Sequence, residues 1–305
     1  MTHRMPGASS TYWSEYVQEP EELYCSRALR FREDNKDAWL RLIGAGDGMR
    51  ILEVGCGSGL FCHRLAAFLP HASVTGLDRD AGHLHYAAGK ARETGLRCRF
   101  VQGDALALPF EEDAFDLCYS YTVMNFCDPS AFLAEQRRVL RPGGRIAVLN
   151  VIGSGAPEAW LPTDGHEEKA LFDRLWQAAA DVDPLSRIPR HPWSVEQTCR
   201  LLAGQGFQGI AVDVLAVVSH TPDSADVSEE EAAAQINENR TAELCSAAKA
   251  RRMAPEALSD KEYRDLQEKI NRRYDRRPRD YRQGIPHWEC EFSTVAAITG
   301  QKPAD

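Results

Sequence analysis

The stretch ILEVGCGSGLF, residues 51–61, decides the fold of this chain. An apolar run that ends at Val54 is followed by glycines at three alternate positions, Gly55, Gly57 and Gly59, and then by residues with helical periodicity. A short apolar run before a glycine loop predicts a buried β-strand that turns into a helix. In a doubly wound sheet such a loop lies at the carboxyl edge, where ligands bind. The stretch therefore predicts a ligand-binding loop after the first strand of an α/β fold.

Strand and helix patterns alternate outward from this stretch. Strands are predicted at 49–55, 72–78, 98–104, 114–122, 145–151 and 209–219, with a last strand at 289–302. Helices are predicted at 60–69, 81–95, 130–140, 167–182 and 193–207, and residues 11–44 are also helical and amphipathic. Strands that alternate with helices imply right-handed crossovers and a parallel sheet. The predicted fold is α/β, a Rossmann-like, doubly wound sheet of seven mostly parallel strands.

The domain organisation is predicted from a break in this alternation. Residues 222–287 are polar and helix-prone, acidic at the front and basic at the back, and indicate an insertion between two neighbouring strands at the sheet edge. The predicted segments are an N-terminal helical lid over 1–48, a core over 49–221, a helical cap over 222–287 and the final core strand over 288–305.

Composition excludes several classes of protein. The chain has 305 residues, 43% hydrophobic and 27% charged, with a formal net charge of −9. This balance disfavours a protein that coats nucleic acid or anionic membrane. No stretch is apolar enough to span a membrane, and no secretory leader is recognisable. The nine cysteines contain no C-x-x-C pair, so we expect reduced thiols, a cytoplasmic location and no metal site.

The spacing of the glycines narrows the ligand. Dinucleotide-binding loops follow G-x-G-x-x-G, whereas here the third glycine comes one position early and Leu60 occupies the expected place. The P-loop sequence Gly-Lys-Ser/Thr is also absent from this loop. A nucleoside ligand without phosphates fits this spacing better.

Four stretches together resemble a known family. They are Glu53-x-Gly55-x-Gly57-x-Gly59, VTGLDRD at 74–80, QGDALALPFEEDAFDLCYS at 102–120 and RRVLRPGGRIAVLN at 137–150. Their order and spacing resemble the class I S-adenosylmethionine-dependent methyltransferases. The similarity is greatest to the small-molecule group that includes the ubiquinone and menaquinone pathway methyltransferases. It covers about a third of the chain, residues 49–151.

This resemblance implies S-adenosylmethionine as the cofactor and a set of residues that bind it. Asp78 would accept hydrogen bonds from both ribose hydroxyls, Asp104 and the Ala105 amide would contact the adenine, and Glu53 would hold the amino group. The full predicted cofactor set is Glu53, Gly55, Cys56, Gly57, Gly59, Asp78, Arg79, Asp104, Ala105 and Ser120. Structural alternatives stay open: Asp78 as a helix N-cap, Asp104 as a turn residue, and Glu53 as a buried acid paired with a backbone amide.

The family has no fixed catalytic residue, because a sulfonium methyl group is already activated and the protein mainly positions the acceptor. A base is needed only where the acceptor must lose a proton. Candidates here are Tyr121, Asn125 and Tyr16, and the histidine that many relatives carry near Asn125 is missing. The aromatic residues Tyr12, Trp13 and Tyr16 could close a lid over the site or could anchor the core. His83 is interpreted as structural.

The predicted function is methyl transfer to an oxygen, carbon or sulfur atom of a small molecule. One alternative is an RNA or protein methyltransferase that uses the basic tract 269–282, which also carries tyrosines. Pairing of this tract with acids, within the chain or between subunits, is at least as plausible, and nucleic acid is disfavoured. The other alternative is a non-catalytic cofactor-binding partner that forms a homodimer through the 222–287 insertion.

Overall fold

The computed structural model describes residues 12–155, 165–180, 182, 191, 193–220, 228–285 and 290–304. The strands are β1 Arg50–Val54, β2 Ser73–Asp78, β3 Cys98–Gln102, β4 Phe115–Tyr121, β5 Leu140–Gly155, β6 Gln208–His220 and β7 Cys290–Gln301. The helices are α1 Tyr12–Tyr16, α2 Pro20–Ala28, α3 Lys36–Ile43, α4 Leu60–Phe68, α5 Ala81–Thr94, α6 Pro129–Val139, α7 Gly165–Ala180, α8 Val195–Gly204, α9 Glu229–Met253 and α10 Asp260–Arg282.

The described strands form one seven-stranded sheet with the order β3-β2-β1-β4-β5-β7-β6. The pairs among β1 to β5 are parallel, and β7 runs antiparallel to both β5 and β6. The predicted α/β fold with a mostly parallel, doubly wound sheet is confirmed. Parallel strands order their carboxyl ends along one edge, so the loops after β1, β2, β3 and β4 are neighbours there.

The fifth strand is longer than predicted. The sequence Pro142-Gly143-Gly144 was expected to separate helix from strand, yet β5 starts at Leu140 and pairs with Phe115 of β4. The register then shifts, and Leu117 pairs with Arg145. Gly143 takes a left-handed φ of 74° within this irregular stretch. The chain accommodates the extra residues as a bulge, because glycine adopts positive φ without a steric penalty.

Strand β1 contributes to a hydrophobic core on each face of the sheet. Ile51 packs with Trp39 of α3 on one face, while Leu52 and Val54 pack with Phe132 of α6 on the other. Successive strand residues point to opposite faces, and a parallel strand covered on both sides needs apolar residues at every position. This requirement explains the continuous apolar run before the glycine loop and fixes the loop rigidly at the sheet edge.

The helices between β6 and β7 build a third hydrophobic cluster together with α7. Leu175 of α7, Ile236 of α9 and Leu266 and Ile270 of α10 lie within it. Helix α10 begins with a capping box, in which Ser259 and Glu262 satisfy each other's backbone amides. Helix α9 also packs on α2, and those described elements therefore connect the insertion to the N-terminal helices.

The basic tract 269–282 pairs with acidic residues of the same chain. The pairs include Lys269 with Glu167 at 2.8 Å, Arg273 with Glu168 at 2.8 Å and with Glu243, and Arg282 with Glu229 at 3.2 Å. Arg273 is only 6% exposed and Arg277 only 2%. Pairing and burial keep Lys269, Arg273 and Arg277 away from any surface that could follow a nucleic-acid backbone, whereas Arg282 stays more than half exposed although it pairs with Glu229. Separately, none of the helices in the described part of the chain has the length and apolarity needed to cross a bilayer.

Candidate functional site

A cavity of about 510 Å³ opens at the carboxyl edge of the sheet. Of the residues predicted from sequence, those on its wall are Glu53, Gly55, Cys56, Gly57, Asp78, Arg79, Asp104, Ala105, Tyr121 and Asn125. Gly59, Ser120 and Tyr16 are not on the wall. Its volume is in the range of small-molecule and cofactor sites. Most of the predicted site residues are therefore brought together around one space.

The glycine loop is held against β2 by its backbone. The amides of Gly55 and Cys56 both donate to the carbonyl of Leu77, at 2.7 and 2.9 Å. Gly57 has a left-handed φ of 52°, and a Cβ there would lie 2.6 Å from Leu23 of α2. A side chain at this position would be strained and would also force the Leu23 side chain of α2 to shift. Glycine therefore lets the N-terminal helix and the loop enclose the cavity from both sides.

Two predicted cofactor residues, Gly59 and Ser120, do not line the cavity. Gly59 begins α4 with a φ of 81°, and a Cβ would meet Ala87 at 2.7 Å and Phe100 at 2.9 Å. Its lack of a side chain lets the loop pack against α5 and β3. Ser120 is 1% exposed, and its hydroxyl has no hydrogen-bond partner among the described residues.

Asp78 fixes the loop and still presents acceptors to the cavity. One carboxylate oxygen accepts the Gly57 amide at 2.8 Å, and the other accepts the Asp80 amide at 2.9 Å. The N-cap of α5 is Asp80, which accepts the His83 amide at 3.0 Å. Each carboxylate oxygen can accept more than one hydrogen bond, so Asp78 keeps capacity for a diol. Burial raises the pKa of Asp78 above its ordinary value.

Asp104 is a turn residue and a cavity residue at the same time. One of its oxygens accepts the Leu106 amide at 2.9 Å, and its carbonyl accepts the Ala107 amide at 3.1 Å. Its other carboxylate oxygen has no hydrogen-bond partner within the described residues. The turn orients this carboxylate at the end of β3, and the free oxygen can accept from an amino group on a ligand.

Glu53 is buried at the end of β1, with 3% of its surface exposed. The Cys62 thiol donates to its carboxylate at 3.0 Å, so the described partner is a side chain and not the backbone amide considered as an alternative. Burial raises the pKa of Glu53 to about 7. A cation placed beside this carboxyl would favour its ionised form. The end of β1 is therefore suited to bind a ligand ammonium group.

The N-terminal helices form the roof of the cavity. Trp13, Gln18, Leu23 and Arg27 line it. Trp13 packs edge-on against Phe126, with ring centroids 5.0 Å apart. Tyr16, a candidate catalytic residue, is 55% exposed and points away from the lining set.

Two hydrogen bonds tie this roof to α5. The Ser14 amide donates to Asp80 at 2.8 Å, and the His83 ring nitrogen Nε2 donates to the Gln18 carbonyl at 3.0 Å. His83 is 1% exposed and also reaches the cavity wall, so its structural role is to hold the roof in place. The roof is thereby connected to the same helix that follows Asp78.

The ends of β4 and β5 form the other side of the cavity. The Asn150 amide donates to the Asn125 side-chain oxygen at 2.8 Å, and the Asn150 oxygen accepts the Val151 amide at 3.0 Å. Tyr121 is 5% exposed, and its hydroxyl accepts a hydrogen bond from Arg30 at 3.3 Å. This side is polar, aromatic and fixed by side-chain contacts, as a binding surface for an organic molecule should be.

Sequence reasoning missed Arg27, Gln18 and Asn150. Asn150 was inside a quoted motif, but nothing distinguished it from the other residues of that strand. Arg27 and Gln18 come from a region recognised only as amphipathic and helical. One feature could have pointed to Arg27. It lies one helical turn after Leu23, which is buried, in a segment predicted to cover the site, so both side chains lie on the same face of the helix.

Comparison with known proteins gives related sequences and folds. The family described as methyltransferase domain matches residues 51–144. Demethylmenaquinone methyltransferase of Thermus thermophilus is 43% identical over 101 residues, 33% of this chain and 46% of that protein. The 2-phytyl-1,4-naphtoquinone methyltransferase of Synechocystis is 39% identical over 163 residues, 50% of this chain and 68% of that protein.

A solved structure shares the fold. It is phosphoethanolamine N-methyltransferase 2 of Haemonchus contortus with S-adenosylhomocysteine, at 17% identity and a TM-score of 0.56, over 97% of this chain and 60% of that one. The chain spans about half the length of the first curated relatives that it matches, between 42% and 57%. Most of the cavity wall lies within the matched residues 51–144, and the Synechocystis relative is covered over two thirds of its length. On these grounds the chain belongs to the class I S-adenosylmethionine-dependent methyltransferase family.

Proposed function

We propose that this protein transfers the methyl group of S-adenosylmethionine to an oxygen, carbon or sulfur atom of a small molecule. The observation that carries the proposal is that one cavity joins two different surfaces. One surface has carboxylates at the ends of β1, β2 and β3, and the other has the aromatic and carboxamide side chains at the ends of β4 and β5. A cofactor and an acceptor could occupy them side by side.

The cofactor would lie along the first surface. Asp104 and the Ala105 amide would contact its adenine, Asp78 would accept from its ribose hydroxyls, and Glu53 would hold its ammonium group. These three carboxylates stand at the ends of β3, β2 and β1, which are consecutive neighbours in the sheet. Their order matches the order of the groups along the cofactor. The methyl group would then point towards the end of β4.

The chemical step is an in-line displacement. A lone pair on the acceptor atom attacks the methyl carbon while the carbon–sulfur bond breaks. The electron pair of that bond stays on sulfur, which gives S-adenosylhomocysteine. A proton on the acceptor atom leaves to solvent or to a neighbouring base. Tyr121 and Asn125 line the acceptor side and could orient the acceptor, and positioning accounts for most of the acceleration in such a step.

The names of the relatives support a small-molecule acceptor, since they act on quinones and related compounds. Lys269 and Arg273 of the basic tract pair inside the chain and are largely buried, which leaves the RNA or protein alternative less basic surface. A small acceptor also fits a cavity that is roofed by α1 and α2.

Transfer of label from methyl-labelled S-adenosylmethionine tests the proposal. Host extract is divided into metabolite, RNA and protein fractions and incubated with the wild type and with Asp78→Asn, which keeps the size of the side chain but removes its charge. Exposed Arg97→Met is the matched control. We expect label in the metabolite fraction, at least tenfold less with Asp78→Asn, and no change with Arg97→Met. Label only in RNA or protein would support the macromolecular alternative. Cofactor binding without label in any fraction would support a non-catalytic partner.

A further inference from the structure

We propose that Arg27, in the roof of the cavity beside the end of β4, forms a carboxylate-binding site whose positive charge Arg30 reinforces, and that the carboxylate belongs to the methyl acceptor. The inference rests on the proposed function, because it treats the cavity as the place of methyl transfer. It adds a chemical class to the acceptor, which would be an organic acid.

The guanidinium of Arg27 lines the cavity and has N–H donors without a hydrogen-bond partner among the described residues. Its Nη2 donates to the Thr122 hydroxyl at 3.3 Å, and its guanidinium carbon lies 4.8 Å from the centre of the Tyr121 ring. A guanidinium has five N–H donors, and this is the one hydrogen bond that the described residues provide. Arg27 is on the cavity wall, so the remaining donors have access to a ligand.

Arg30 adds a second positive charge at the hydroxyl end of Tyr121, although it is not itself on the cavity wall. Its Nη1 donates to the Tyr121 hydroxyl at 3.3 Å, so the two arginines hold the same tyrosine from its face and from its hydroxyl. Burial and the neighbouring charge of Arg30 lower the pKa of Arg27 to about 10. Arg27 and Arg30 are both partly buried, and two like charges held close together there raise the free energy of the unliganded site.

The described residues provide no hydrogen-bonded counter-ion to this pair. No Asp or Glu among them forms an ion pair with Arg27 or Arg30, and the electrostatic attraction of Glu53 does not offset the lowering of the Arg27 pKa. The contrast within the chain is Arg273, which is buried and paired with Glu168 at 2.8 Å. A desolvated cation is strongly unfavourable unless an anion neutralises it. The missing anion is therefore expected on the ligand.

The chemistry of the surroundings identifies that anion. A guanidinium binds a carboxylate through two parallel hydrogen bonds, which is its preferred planar geometry. The cavity also has aromatic walls from Trp13, Phe61 and Phe126, which suit a flat organic acid.

The sheet order favours the acceptor as the source. The proposed cofactor contacts end at β1, and Tyr121 and Thr122 lie at the end of β4, the next strand along the edge. The carboxylate of the cofactor itself is the second source, since its methionine part would also approach this edge. Both sources have the same chemistry, and binding measurements distinguish them.

Calorimetric titration provides the test. Benzoate is the anionic probe and benzamide its neutral counterpart, each titrated into the S-adenosylhomocysteine complex. S-adenosylhomocysteine and methylthioadenosine, which lacks the amino-acid part, are titrated into the free protein. The variants are Arg27→Met, which removes the charge, Arg27→Lys, which keeps a charge without the planar fork, and Arg97→Met as an exposed control. Circular dichroism and Tm establish that each variant is folded.

We expect the wild-type complex to bind benzoate at least tenfold more tightly than benzamide. Arg27→Met should lose that preference, Arg27→Lys should lose about half of it on a logarithmic scale, and S-adenosylhomocysteine affinity should change less than threefold. If Arg27→Met lowers the affinity for S-adenosylhomocysteine tenfold and leaves the affinity for methylthioadenosine unchanged, the site binds the carboxylate of the cofactor. That result would overturn the assignment of the carboxylate to the acceptor. Equal binding of benzoate and benzamide, or no effect of Arg27→Met on any ligand, would overturn the site altogether. If the wild type binds no S-adenosylhomocysteine, the proposed function fails, while benzoate titrated into the free protein still reports on the arginines.

Discussion

Protonation of Glu53 is expected to control cofactor binding near neutral pH. Its pKa of about 7 in the free protein arises from burial, with Cys62 as its described hydrogen-bond partner. If the ionised carboxylate holds the ammonium group of the cofactor, then the protonated form must lose its proton before binding. Affinity should therefore fall as the pH drops below about 7, in the direction expected for any ligand that prefers the charged form.

The size of the effect follows from the ionised fraction. With a pKa of about 7, roughly three quarters of Glu53 is ionised at pH 7.5 and roughly one tenth at pH 6. We expect the dissociation constant of S-adenosylhomocysteine to rise about eightfold between these two values, which corresponds to about 1.2 kcal/mol. The loss should continue at close to tenfold per pH unit as the pH falls further.

Isothermal titration at several pH values measures this dependence. Two matched comparisons isolate Glu53: the variant Glu53→Gln, which cannot ionise, and methylthioadenosine, which has no ammonium group. Both should show dissociation constants that are nearly flat between pH 7.5 and 6. A flat profile for wild type with S-adenosylhomocysteine would refute the reasoning. So would an equal slope with methylthioadenosine or in the variant, since the titrating group would then lie elsewhere.

Three further outcomes are expected from urea unfolding. Gly57→Ala should lower the free energy of unfolding by about 1–2 kcal/mol for the left-handed φ alone, and by more because of the contact with Leu23. Gly95→Ala, at a φ of 69° with open space around it, should show only the backbone cost. Equal losses in the two variants would contradict the close approach of α2 to Gly57. Arg273→Met should lower the free energy of unfolding by about 3–5 kcal/mol, because it leaves the Glu168 carboxylate buried and unpaired. Adding Glu168→Gln to this variant should recover part of the lost stability. If it recovers none, Arg273 and Glu168 do not stabilise each other. Burial lowers the pKa of His63 to about 4, so as the pH falls below about 6.5 the unfolded chain takes up a proton that the folded protein does not. Between pH 7 and 4.5 the free energy of unfolding of the wild type should therefore fall by ~2.5 kcal/mol relative to that of His63→Gln. An unchanged difference would show that the ring is already protonated or exposed.

The fold could be predicted well because its central strands, β1 and β4, are buried on both faces. Continuous apolar runs that stop at glycine or polar residues mark β1 and β4 almost to the residue. The start of β5 could not be predicted, because Pro142-Gly143-Gly144 has the composition of a turn. Only the neighbouring strand β4 shows that the chain stays paired from Leu140 onward.

The residues of the candidate site likewise fall into those that local sequence predicts and those that only tertiary contacts place. Residues on local motifs, such as Glu53, Asp78 and Asp104, are set by the strand ends that carry them, and they line the cavity. Gly59 belongs to the same motif but packs against α5, because local sequence does not show from which side a backbone is approached. Arg27 reaches the site only because α2 crosses the glycine loop, a tertiary contact without any local pattern.

The position of β7 between β5 and β6 has a consequence for the order in which the chain is completed during synthesis. Strand β6 has β7 as its one sheet partner among the described strands, and residues 221–289 separate the two in sequence. At about 5–20 residues per second, the ribosome adds that separating segment in about 3–14 s. During this interval the unpaired edge of β5 and all of β6, with its exposed valines Val212, Val214 and Val218, are available for mispairing. The nascent chain should therefore depend on chaperones most strongly in that window, while the cavity-bearing strands β1 to β4 are already paired.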